Sequence, residues 1–357
     1  MKKILFLAIA IGFITVSCTN NSKIDNAQKE TTLKVDTTDA TNNFYDNEIT
    51  HELNGNDVEV LGEVANPGKV YFSKLPQRSV IIKEAKLKDN NEIAFVGAYR
   101  YDGYSIYDIL NERILKKANQ EEFPPIIDLY VEISNDKGES VLLSWAEIYY
   151  PIYRHNIIIA TKVMHIVPSK SKDLWPLPTE TKLIVGTDLI TERNISNPTK
   201  IIVKSLDDKF KIKRDIKPLY SKDLKIYNDK ELIKTLTQIP KNLKEENFST
   251  IFYGRGRGIH STSDFIGAKL KDLLITDFEF NKKNIQNGMF VLASKDGYRS
   301  AFTYSEVMNR NDQSEILLID KNNYENAGRF SIFPSCDFFS DRAMKALNEI
   351  HFRTIKH

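Results

Sequence analysis

The chain has 357 residues, of which 27% are charged. That is too long for one typical core and suits two domains of about 150 residues each, while plentiful aromatic and branched residues exclude bulk disorder. The formal net charge is only +2, and Lys2 and Lys3 account for it, so a near-neutral body offers no general attraction for nucleic acid.

The N-terminus reads MKKILFLAIAIGFITVSCTN. A basic start, an apolar stretch from Ile4 to Val16 and a small residue before a cysteine predict a signal peptide over 1–18. The apolar run is too short to span a bilayer. The sequence TVSC resembles the lipobox of bacterial lipoproteins. That resemblance implies acylation of Cys18, which becomes the new N-terminus, and acyl chains anchor by burying methylenes at ~0.8 kcal/mol each. Thr19 rather than an aspartate follows, which in that class implies the outer membrane. The expected location is therefore the cell envelope, with the body exported and held by lipid. Beyond Cys18 only Cys336 remains, so no internal disulfide is expected.

Residues 19–50 are polar, with neither a helical nor a strand period, and predict a flexible tether. After them the chain says nearly the same thing twice. GYSIYDIL from Gly103 and GAKLKDLL from Gly267 each predict a turn opening a short amphipathic helix, with Asp108 matching Asp272 and Leu110 matching Leu274. Turns at Gly138 and Gly297 each join two alternating strands, as expected of half-buried hairpins. Glu147 and Glu306 then follow at one common spacing, and so do the apolar strands from Ile157 and Ile316. Arg193 and Arg342 recur in TERN and SDRA. These landmarks predict two globular copies, over 51–205 and 206–357, joined by the charged segment 205–220.

From Gly267 to Phe352 the second copy resembles the oxidoreductase molybdopterin-binding domain of sulfite oxidase. The resemblance is carried by the G-x-x-L-x-D-L-L stretch, the D-G-Y turn and the late strand GRFSIFPS with its following basic stretch. The first copy, from Val60 to about Ser205, matches more loosely. The resemblance implies an α+β fold of two tandem mixed-sheet domains. These motifs are turns and strand ends, which specify fold better than function.

In that family a cysteine thiolate just upstream of the helix holds molybdenum. A soft thiolate suits that metal. Here the matching loops, AFVGAYRYDGYSI and FYGRGRGIHSTSDFIGAKL, contain no cysteine. Molybdopterin is therefore not the favoured ligand, and a catalytic role is disfavoured. What remains is YGRGRGIHS, Tyr253–Ser261. Three glycines can expose backbone amides, Arg255 and Arg257 add planar donors suited to phosphate or carboxylate, and His260 titrates. In the family this loop faces the cofactor, and the stretch bearing Arg342 and Lys345 approaches its phosphate. Arg255, Arg257, His260, Arg342 and Lys345 are thus the expected ligand-binding set.

The other chemistries are weak. Six histidines are scattered with no ligand pair at helical spacing, and no G-x-S-x-G occurs. Trp175 reads as a packing anchor. Asp136, Glu147, Asp296 and Glu306 recur at turn and helix-start positions, where acids usually cap. The expectation is a non-catalytic envelope lipoprotein that binds a small anionic or pterin-like ligand or an envelope protein. The alternatives are a molybdopterin-dependent oxidoreductase that has replaced the thiolate ligand or uses Cys336, and a purely structural interaction module.

Overall fold

A computed structural model describes residues 48–168, 170–213, 215–320 and 328–356. The signal peptide, Cys18 and nearly all of the tether lie outside the described residues. Residues 43–357 cluster as one compact unit. No helix among the described residues is long and apolar enough to cross a membrane.

The chain is mostly β, with 45% strand against 12% helix, and its four small sheets take a β-propeller arrangement. This overturns the expected α+β fold of tandem sulfite oxidase-like domains. The physical reason lies in the helices. Ile106–Asn111 and Leu270–Leu274, the two G-x-x-L-x-D-L-L-like stretches, are single turns, too short to form a layer. Segments with no visible strand period pair into long hairpins instead.

The halves share one strand order. In the first, a sheet runs Gly68–Lys69, Glu59–Gly62, Pro198–Ser205, Leu129–Asn135, Ser140–Ser144, with Glu59–Gly62 and Pro198–Ser205 parallel. In the second, Glu231–Leu236, Leu224–Asn228, Leu347–Thr354, Gly288–Ser294 and Arg299–Thr303 repeat that order and that one parallel pair. The turns expected at Gly138 and Gly297 form at φ of 83° and 86°, a left-handed geometry that glycine adopts without steric cost. The other sheet of each half begins with an edge hairpin. The first edge hairpin pairs Arg78–Leu87 with Ile93–Ser105; the second pairs Glu245–Gly254 with Gly258–Lys269. Ile157–His165 and Lys182–Val185 extend the first sheet, and Ile316–Asp320 and Phe330–Pro334 the second.

Each half has its own apolar core, one around Val60, Val131, Leu143 and Ile159, the other around Leu270, Phe290, Phe302 and Phe352. Trp175 packs beside the outer face of the first sheet, against a cluster holding Tyr99 and Tyr101, with Phe95 edge-on to its ring. The halves meet through Tyr130, Leu142 and Leu206 on one side and Met289, Val291 and Ala301 on the other.

Reciprocal contacts surround this seam. Leu189 donates its N–H to Asn309 O at 2.8 Å, and Phe338 donates to Tyr150 O at 2.7 Å. Both acceptors close one-turn helices, Tyr304–Met308 and Trp145–Tyr149, that open with capping boxes. Ser144 and Thr303 cap, and Glu147 and Glu306 bond back. Two buried arginines use the same glutamates. Arg193 donates to Glu147 at 2.9 Å and to Asp188 at 2.6 Å; Arg342 donates to Glu306 at 2.7 Å and to Asp337 at 2.6 Å. Each guanidinium also reaches across the seam, Arg193 to Thr303 Oγ1 at 3.2 Å and Arg342 to Ser144 Oγ at 3.5 Å.

Candidate anion site

The glycine-arginine stretch is the tip of the second edge hairpin. Arg255, Gly256 and Arg257 make the turn, and Gly258 takes a φ of 73°. Gly254 leaves room for a close approach. A Cβ there would lie 2.3 Å from His260 Nε2, so its absence lets the imidazole lie across the strand end.

The tip borders a cavity of about 310 Å³. Arg255, Arg257 and His260 line it from the hairpin, Asp296 and Tyr298 from the turn at Gly297, and Asp341 and Lys345 from the chain ahead of the last strand. Four of the five expected ligand-binding residues therefore converge on one space. Arg255 lies 3.5 Å from Asp341 with its side chain 47% exposed. Arg257 and Lys345 are exposed, and their side chains have no ion-pair partner among the described residues. Three cations thus face two carboxylates. Tyr298 donates its hydroxyl to Asp341 O at 2.8 Å and fixes that wall; burial pushes its phenol well above the usual range.

The fifth residue, Arg342, does not join them. It is fully buried, its fork is spent on Asp337 and Glu306, and its guanidinium carbon sits 4.2 Å from the Phe302 ring centre. A buried cation so paired is not free to neutralise a ligand. The sequence carries a sign of this, since Asp188 precedes Arg193 by the same interval as Asp337 precedes Arg342. Asp341 and Tyr298 had no such signal, because they reach the cavity only through the fold.

The first half closes the same place. Both edge hairpins carry a bulge, after Glu84 and after Phe252, which sets Ala85 against Tyr253 and Leu87 against Arg255. Ala85 exchanges bonds with Thr191, accepting from its N–H at 2.8 Å, and Leu87 N–H donates to Glu192 Oε1 at 2.7 Å. Ala85 and Leu87 pack on the core of the second half. Among the described residues no such bonds join Tyr253 to Ser340; the cavity lies there instead.

Cys336 does not supply the thiolate that molybdenum requires. It is buried, its sulfur donates to Asp337 Oδ1 at 3.5 Å, and it does not line the cavity. Burial pushes its thiol up to about 12. Cys336 therefore does not fit the role of a molybdenum ligand facing this cavity. Among the described residues, no group of three or more His, Cys, Asp or Glu side chains is placed to hold another metal ion.

A serine with a base nearby appears in the fold though not in the sequence. Ser105 Oγ lies 3.1 Å from His155 Nδ1 and donates to Asp108 at 2.8 Å. Ser105 is fully buried and caps the helix Ile106–Asn111, so it serves as a cap and presents no nucleophile. No protein-family model matches the sequence, and no curated protein matches it either.

Proposed function

We propose that this protein is a non-catalytic binding lipoprotein of the cell envelope, exported and anchored through Cys18, that captures a small anion at the tip of the second edge hairpin. The observation that carries the reading is the convergence of Arg255, Arg257 and Lys345 on one cavity of about 310 Å³. Two of these cations are unpaired, and an unpaired cation beside a concave wall favours an anionic ligand. Arg257 would grip it through its planar fork, Lys345 would add a point charge, and Asp341 holds Arg255 at the rim. The two carboxylates favour a ligand that also presents hydrogen-bond donors.

The test is calorimetric titration of the purified protein with inorganic phosphate. The expected result is saturable binding that falls at least tenfold in Arg257→Glu while the melting temperature is unchanged, because the residue is exposed. Absence of binding, or binding indifferent to Arg257→Glu, would remove the reading. The anchor is checked separately by the mass of the processed N-terminus, which Cys18→Ser should strip of its acyl chains.

A further inference from the structure

The cavity is small for a ligand site. Its volume of about 310 Å³ lies at the lower end of the roughly 300–1,000 Å³ in which small-molecule sites fall. Its lining carries charge of both signs, and the signs do not cancel. Arg255 is answered by Asp341 at 3.5 Å. Arg257 and Lys345 line the space without an ionic partner, and among the described residues no cation pairs with Asp296. His260 adds a ring nitrogen but no fixed charge. Two unpaired cations and one unpaired carboxylate therefore border one cavity.

The odd carboxylate is held in place. Asp296 Oδ1 accepts the N–H of Tyr298 at 3.0 Å, and the Asp296 carbonyl accepts the N–H of Lys213 at 2.8 Å. The turn packs closely on the linker, where a Cβ on Gly297 would lie 2.7 Å from Lys211 O. Asp296 Oδ2 has no partner among the described residues. A fixed carboxylate with a free oxygen repels a plain anion and attracts a cationic donor. A charge-assisted hydrogen bond is also roughly twice as strong as a neutral one.

We infer that the ligand is a small phosphate monoester bearing an ammonium group, with its phosphoryl end against Arg257 and Lys345 and its ammonium against Asp296. This deepens the reading of the cavity as an anion site and rests on it. A phosphate monoester carries close to two negative charges above its second pKa of about 6, which matches the two unpaired cations. The ammonium matches the one unpaired carboxylate. Plain phosphate would leave Asp296 facing like charge, and a phosphodiester would leave one cation unmatched.

The experiment is calorimetric titration of the purified protein, at about pH 8 so that the second phosphate proton is lost. The probes are 2-aminoethyl, 2-hydroxyethyl and propyl phosphate, three esters of nearly equal size. The amine ester should bind more tightly than either neutral ester, by about tenfold or more. Asp296→Asn keeps an acceptor for the Tyr298 N–H and should erase that preference, weakening the amine ester and tightening the propyl ester. Its melting temperature verifies the fold, and the comparison of esters on the unaltered protein stands without it. Equal affinity for all three esters, lost together in Arg257→Glu, would overturn the ammonium and leave the anion site standing. A hydroxyl ester as tight as the amine ester would overturn it as well. So would a preference that persists in Asp296→Asn, since the ammonium would then lie elsewhere. Glycerophosphoethanolamine, which carries the same amine on a diester, should bind more weakly. Equal or tighter binding of that diester would overturn the monoester in favour of a lipid head group. If no ester binds, the anion site itself falls, and this ligand with it.

Discussion

The tips of the two edge hairpins occupy the same place in their halves and meet opposite fates. The first carries Ala85 and Leu87, packs on the neighbouring core, and is pinned by Thr191 and Glu192. The second carries Tyr253, whose ring packs beside Phe338, and Arg255, which pairs with Asp341 at the rim of a cavity. Even partial burial of a leucine is favourable, by some fraction of the roughly 1.5–3 kcal/mol that full burial gives, whereas an arginine cannot be buried without a full set of partners. The two tips thus differ in the side chains they present at matching register positions, one sealed on the neighbouring core and the other bordering a cavity. A repeated fold can keep one copy as structure and release the other for binding.

The largest expected effect concerns what the halves have in common. Removing one member of a buried ion pair leaves the other uncompensated and costs about 3–5 kcal/mol. Arg193→Ala and Arg342→Ala should each lose that much in urea denaturation, and a loss below about 1 kcal/mol in either would show the two clusters to be inequivalent.

The next effect separates them. Burial pushes the Glu147 carboxyl up to about 7, with Arg193 opposing, while Glu306 lies below its usual range because Arg342 and the Ser144 hydroxyl outweigh its burial. A carboxyl raised in the folded state binds its proton more tightly there than in the unfolded chain. Its contribution therefore declines as pH rises between about 4.5 and 7. Glu147→Gln should flatten that decline in a series of melting curves. An unchanged pH profile would show that Glu147 is ionised throughout. Glu306 acts in the opposite sense, stabilising above its unfolded value and failing as acid protonates it.

Smaller effects probe the tips. Thr191→Ala strips Ala85 N–H of its hydroxyl partner and should cost about 1 kcal/mol, while Ser340→Ala at the matching position should stay within about 0.5 kcal/mol. Equal losses would mean that both tips are pinned alike. Smallest is Gly254→Ala. The added methyl meets only the end of the His260 ring, which can swing aside, so stability should shift by no more than about 0.5 kcal/mol while the histidine resonances move.

The repeat was legible because turns and caps speak locally. Gly138 and Gly297 mark their hairpins, and Glu147 and Glu306 their capping boxes. The fold class was not legible, because a one-turn helix and a full helix begin with the same residues. The edge hairpins were missed for a related reason. Glu245–Gly254 alternates between exposed and half-buried positions, with serine, threonine and asparagine among its apolar residues, so the period of two hides in a polar sequence. Of the site, the cations could be named from YGRGRGIHS, but whether Arg342 faced ligand or carboxylate depended on Asp337 and Glu306, which only the fold brings to it.

The crossing of arginine to cap hydroxyl has a kinetic meaning. Tandem copies with separate cores can open as separate foldons, each at its own free energy. Here the helix cap of each half is also a ligand of the other half's arginine, Ser144 for Arg342 and Thr303 for Arg193. Fraying of one helix start strips a buried guanidinium across the seam. Backbone amides on either side should therefore lose protection against hydrogen exchange in a single step, and the cavity would hold its shape until the whole body opens.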